Sequence, residues 1–98
     1  MDIDFHPEAE QEFIEAAAYF ETRVPKLGQQ FISELEQNKD LLRDWPELGA
    51  QIDDTFRRLV FRRFPYSLIY ALEPGAIWVV AVAHDRRMPD YWRDRHSE

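Results

Sequence analysis

The sequence predicts an α+β domain: a short N-terminal strand, then an antiparallel helical hairpin packed on a three- to four-stranded, mainly antiparallel sheet. Three observations lead there. Apolar residues recur three and four positions apart only in the first half of the chain. β-branched and aromatic residues crowd the second half in short runs. Proline and glycine fall mostly between these segments, where they act as breaks.

The elements follow in order. "DIDF" alternates polar and apolar and suits a short strand. "HPEAEQEF" opens a helix, with Pro7 in the first turn, where its missing N–H costs nothing, and Glu8 and Glu10 at the positive end of the helix dipole. Ala9, Phe13, Ala16, Ala17 and Phe20 form its apolar stripe. The stretch from Thr22 to Pro25 interrupts the pattern, because Pro25 disfavours helix at Val24. In the second helix Leu27, Phe31, Leu35, Leu42 and Trp45 share a face that Asn38 interrupts, and Pro46 and Gly49 end it. So short a break makes the two helices neighbours, each with an apolar face to lay on a sheet. "TFRRLVFRRF", "PYSLIYALE" and "AIWVVAVAH" then read as three strands of a meander. Pro65 marks the first turn and "EPGA" the second, and the last strand is apolar enough to be central.

With 98 residues the chain is expected to be one domain over 1–98, carrying 45% hydrophobic and 14% aromatic residues, enough for a single core. Several classes of function drop out. Without cysteine there is no disulfide, thiolate nucleophile or zinc-thiolate site. Three glycines do not make a phosphate loop, and His6, His84 and His96 are too scattered for a metal motif. No cofactor and no metal are expected. The acidic start "MDIDFHPEAE" is unlike a secretory leader, and no run approaches the ~20 apolar residues of a membrane span. The expected location is the cytoplasm.

Charge is divided unevenly. The net charge is -7, yet residues 1–54 hold 14 acidic and 4 basic side chains while residues 55–98 hold 5 acidic and 8 basic. Those eight are all arginine: 57, 58, 62 and 63, then 86, 87, 93 and 95. Arginine's planar fork suits carboxylate or phosphate, so this half is suited to an acidic partner. The alternative is that the arginines keep strand edges soluble.

Two further features stand out. His84 closes the apolar strand, and a histidine near arginines 58, 62 or 63 has the means for acid–base work on phosphate, including cleavage of RNA. Alternatively it caps the strand by hydrogen-bonding backbone. Tyr91 and Trp92, interleaved with arginines in "MPDYWRDR", suit base stacking or a protein interface. Alternatively Trp92 folds back on the sheet and closes the core.

Three stretches together carry a family resemblance over about Asp4 to Trp92: "LGQQFISELEQNKDLLRDWPELG", "FRRLVFRRFPYSLIYALEPGAIWVVAVAH" and "HDRRMPDYW". In their order and content they resemble the RelE/ParE superfamily of toxins from type II toxin–antitoxin systems. The resemblance implies a compact α+β toxin, neutralised by a cognate antitoxin whose extended segment wraps it. It implies one of two targets, DNA gyrase for ParE-like members or mRNA on the ribosome for RelE-like members. The ending "HDRRMPDYW" is closer to the ParE side, and a charge of -7 suits docking into ribosomal RNA poorly. Were the chain RelE-like, His84, Arg62 and Tyr91 would be its catalytic set. In either branch Arg58, Arg62, Arg63, Arg86, Arg87 and Trp92 are the expected partner-binding residues. A third possibility is an inactive orphan toxin that only binds a peptide.

Overall fold

The computed structural model of the chain describes residues 1–97. Its elements are β1 (Asp2–Phe5), α1 (Pro7–Arg23), α2 (Leu27–Asp44), β2 (Ala50–Gln51), β3 (Phe56–Val60), β4 (Tyr66–Glu73), β5 (Ala76–His84) and a closing 3-10 helix (Arg93–Ser97). The strands form one sheet in the order β1-β5-β4-β3-β2. β1 runs parallel to β5, and every other pair is antiparallel.

The start of α1 is fixed locally. His6 is its N-cap, and its Nδ1 accepts the Glu8 N–H at 3.0 Å, taking one of the helix's otherwise unpaired donors. Pro7 follows at the first helical position. Between the helices, Lys26 takes a left-handed conformation (φ 73°), and the Glu21 carboxylate accepts the N–H groups of Lys26 and Gly28. Glycine at 28 is required by contact, since a Cβ there would lie 2.5 Å from the Ala17 carbonyl oxygen. α1 and α2 therefore cross backbone to backbone at this point.

One face of the sheet carries the helices. Phe31 and Leu42, fully buried, and Leu35 pack there with Leu68, Tyr70, Ile77, Val79 and Val82. Phe31 is the hub, with rings of Phe13, Phe20, Phe61, Phe64 and Tyr66 at 5.0–5.8 Å from its own. Burying such a ring contributes about 2–3 kcal/mol from area alone. The other face carries a second, smaller cluster of Phe56, Ile69, Ala71, Val80, Ala81, Ala83 and Trp92, and the chain after β5 covers it. A bulge in β5 at Val80, opposite Ile69 and Tyr70, lets Val80 and Ala81 both serve that second face.

Three details differ from expectation. The sheet has five strands, because Ala50–Gln51 pairs with Arg57 and Arg58; two residues are too few to show a period. The strand expected over "TFRRLVFRRF" stops at Val60, and Phe61 and Phe64 turn into the helical core. Trp45 does not extend the α2 stripe: the backbone leaves the helix there (φ −135°, ψ 76°) and the indole is 66% exposed.

Candidate functional site

The arginine-rich half was expected to present one continuous rim. The β3–β4 turn and the end of β5 do share one end of the sheet, since the Asp85 N–H donates to the Pro65 carbonyl at 2.8 Å. The cationic groups there divide between two clefts. A cleft of about 200 Å³ beside the C-terminal tail is bordered by Arg58, Ser67, His84, Arg87 and Tyr91. A second, of about 570 Å³, lies against α2 and is bordered by Lys26, Arg62 and Arg63.

Glu34 explains the division. It points from α2 into the β3–β4 turn, where its carboxylate accepts the backbone N–H of Arg62 and, at 3.1 Å, that of Arg63. The turn is thus drawn to the helical layer and takes both side chains with it. Arg58 stays on the strand, on the same side as Phe56. Of the eight arginines, Arg57, Arg93 and Arg95 are spent internally. Arg57 donates to the carbonyls of Glu47 and Gly49, Arg93 pairs with Asp53 and Asp90, and Arg95 pairs with Glu12. Arg58, Arg62, Arg63 and Arg86 are exposed and make no side-chain hydrogen bond or ion pair among the described residues. Arg87 is also exposed; it lies 4.1 Å over the Tyr91 ring and 3.9 Å from Glu12.

His84 is committed to its own turn. Its Nδ1 accepts the Arg86 N–H at 3.0 Å, and the ring stands edge-on to Tyr66 at 5.0 Å. In the neutral ring the proton therefore sits on Nε2, leaving no free lone pair to act as a base. The backbone-capping alternative is the one the molecule adopts.

Tyr91 is committed too. Its hydroxyl donates to Glu12 Oε2 at 2.8 Å. Burial, and then the hydrogen bond to Glu12 and that residue's charge, push the phenol well above its ordinary range. The three groups of the conditional catalytic set are not assembled. His84 and Tyr91 border one cleft, and Arg62 opens onto the other. Of the two readings of Trp92, expected among the partner-binding residues or else folded back on the sheet, the molecule adopts the second. Trp92 is 2% exposed and stands 4.6 Å from Phe56, because an indole on this short tail gains more from closing the second core than from solvent.

The residue that organises the tail was missed in the sequence. Glu12 accepts the Val82 N–H at 3.0 Å and the Arg95 guanidinium at 3.1 Å through both oxygens, besides the Tyr91 hydroxyl. Arg95, 6% exposed, also donates to the Val80 carbonyl at 2.9 Å. β1 pairs with β5 only up to Val79, so Glu12 and Arg95 close backbone groups of β5 that no strand reaches. A signal was present. Glu12 lies three residues after Ala9 and four before Ala16, inside the apolar stripe of α1, as Glu34 lies inside that of α2. A carboxylate on a buried face has to find donors.

Among the described residues no group of three metal-ligating side chains comes together, and no helix is long and apolar enough to cross a membrane.

No curated protein matches the sequence. A solved structure described as the chromosomal ParDE TA system from P. aeruginosa is similar in fold, with a TM-score of 0.73 over 86% of this chain and 95% of that one, at 14% identity. The sequence model of the family described as "ParE toxin of type II toxin-antitoxin system, parDE" matches residues 3–89, from the first strand to just short of Tyr91. A match over nearly the whole chain places this protein in the ParE toxin family of type II parDE toxin–antitoxin systems.

Proposed function

We propose that the chain acts on DNA gyrase rather than on mRNA, and that a cognate antitoxin neutralises it in the cytoplasm. The observation that carries the choice of target is the state of the acid–base groups. RNA cleavage needs a base for the 2′-hydroxyl and an acid for the leaving oxygen. Here the His84 Nδ1 lone pair is taken by the Arg86 N–H and the Tyr91 proton by Glu12, while Arg62 opens onto another cleft. A net charge of -7 adds a penalty for approaching ribosomal RNA.

The antitoxin is expected to meet the exposed arginines. Arg58, Arg62, Arg63, Arg86 and Arg87 offer forks to an acidic segment at one end of the sheet, on both of its layers. Trp92 keeps no part in that contact.

The test pairs a supercoiling assay on purified gyrase with cleavage mapping of translated mRNA. Inhibited supercoiling, intact mRNA and unchanged potency of His84→Ala are expected. Cut mRNA, with cutting abolished by His84→Ala, reverses the assignment. In the same preparation, Arg58→Glu with Arg86→Glu, both exposed and without side-chain partners among the described residues, should weaken the toxin–antitoxin complex by about tenfold or more without lowering Tm. Unchanged affinity removes these arginines from the contact.

A further inference from the structure

We infer that a groove at the far end of α2 is a docking surface for a cationic amphipathic segment of a protein partner, independently of the gyrase assignment. The groove, about 540 Å³, is lined by the exposed side chains of Met1, Trp45, Leu48 and Leu72, with Asp44 and Glu47 among them. The other two tryptophans of the chain are drawn into the second core, Trp92 fully and Trp78 in part. Trp45 alone stands in solvent, at the point where the backbone leaves the helix. Contiguous exposed apolar surface rimmed by polar groups marks an interaction site more often than scattered single residues do.

The groove is also preformed. The Tyr70 hydroxyl donates to the Pro46 carbonyl at 2.8 Å and accepts the Gly49 N–H at 2.9 Å. Arg57 donates to the Glu47 and Gly49 carbonyls at 3.0 Å each. These four bonds fix the loop that carries Trp45 and Leu48, so little order has to be imposed when a partner arrives.

Charge selects the occupant. Asp44 and Glu47 line the groove, and among the described residues no cationic group does apart from the amino group at Met1. The half of the chain that builds its helical wall carries 14 acidic and 4 basic side chains. A second copy would bring the same carboxylates against these, and an anionic lipid surface would be repelled in the same way. A segment with an aliphatic or aromatic anchor flanked by lysine or arginine satisfies both the apolar floor and the acidic rim.

The experiment uses the full chain and two fluorescein-labelled amphipathic peptides, one of leucine and lysine and one of leucine and glutamate, followed by anisotropy at physiological salt. The leucine–lysine peptide should bind and its counterpart should not. Trp45→Ser should weaken binding about 30-fold, as loss of a central aromatic anchor does. Asp44→Asn with Glu47→Gln should weaken it about fivefold. Glu10→Gln with Glu15→Gln, on α1, should leave it unchanged. All variants change exposed residues, and an unaltered Tm checks that they fold. Four results overturn the inference: no binding of the lysine peptide, equal binding of the glutamate peptide, indifference to Trp45→Ser, or an equal loss in the α1 control. Concentration-dependent dimers in sedimentation that vanish in Trp45→Ser would assign the surface to a second copy and overturn it equally.

Discussion

The two faces of the sheet are closed by different physics. On one, two helices of 17 and 18 residues lay down long apolar stripes, and the seal is made mostly of hydrocarbon and rings. On the other, a tail of about a dozen residues covers six buried side chains of the sheet, and its attachments are Trp92 and a set of charged groups. A helix has enough apolar residues per turn to hold itself down. A tail with one large anchor has to tie itself to what is already there. The contrast predicts that damage to the first face unfolds the molecule, whereas damage to the second opens it locally.

The largest effect should come from Phe31→Ala. Truncating a fully buried ring that touches five others leaves a cavity at the centre of the main core. A loss of about 4 kcal/mol is expected in urea denaturation, enough to leave a small domain marginal. Trp92→Ala should cost about 2 kcal/mol or less, because a tail that opens by itself cannot lose more than its own docking energy. Trypsin should then cut after Arg93 and Arg95 well before it reaches the sheet. Equal global losses for the two variants would mean that the faces form one cooperative unit.

The comparison sharpens at Glu12, which belongs to α1 but serves the tail. Glu12→Ala leaves the Val82 N–H and the buried Arg95 guanidinium without their acceptor. Because Arg95 sits on the tail and regains water when the tail opens, the cost should stay near the same limit of about 2 kcal/mol. Glu12→Gln keeps an oxygen for Val82 and loses the charge, so about half that cost is expected. The phenol should respond as well. With Glu12 gone, the Tyr91 titration should shift down toward its ordinary range, followed by ultraviolet absorbance in alkali. An unmoved titration would mean that burial alone sets it.

The same contrast governs what was legible in the sequence. The helical hairpin, its break at Pro25 and the central place of the last strand all followed from local period and from Pro and Gly, which report on neighbours along the chain. Family membership was legible too, because residues 3–89 keep the order of elements. What escaped depends on partners distant in sequence. Glu12 and Arg95 are 83 positions apart, and Glu34 lies 28 before the turn whose N–H groups it takes. Nothing in "TFRRLVFRRF" says that a helix carboxylate will bend it after Val60 and divide its arginines between two layers. The sequence left Trp92 open between two readings for a related reason. An aromatic among arginines looks the same in sequence whether the ring meets a partner or its own sheet, and only the Phe56 opposite decides.

The mildest test concerns the outermost tie of the tail. Asp53, in the loop between β2 and β3, accepts Arg93 Nη1 at 2.6 Å and the N–H groups of Thr55 and Phe56 at 2.8 Å each. These bonds, the Arg93 bond first, lower its pKa from 3.8 to about 2. A carboxyl with a depressed folded value binds more protons when unfolded in that interval, so stability rises with pH there. The contribution is complete above pH 4 and lost as pH falls toward 2. Asp53→Asn removes the titration and the charge that holds Arg93 but keeps an oxygen for the two backbone donors, so the variant should be modestly less stable than the parent at neutral pH. Its acid limb should be flatter than that of the parent between pH 4 and 2, with the two curves converging at the acid end. Because Arg93 is exposed and Asp53 lies at the rim, salt should shrink the difference, as it would not for the largely buried Glu12–Arg95 pair. If salt weakened both ties alike, the tail would be held by charges that water reaches everywhere, and the second face of the sheet would have no sealed core at all.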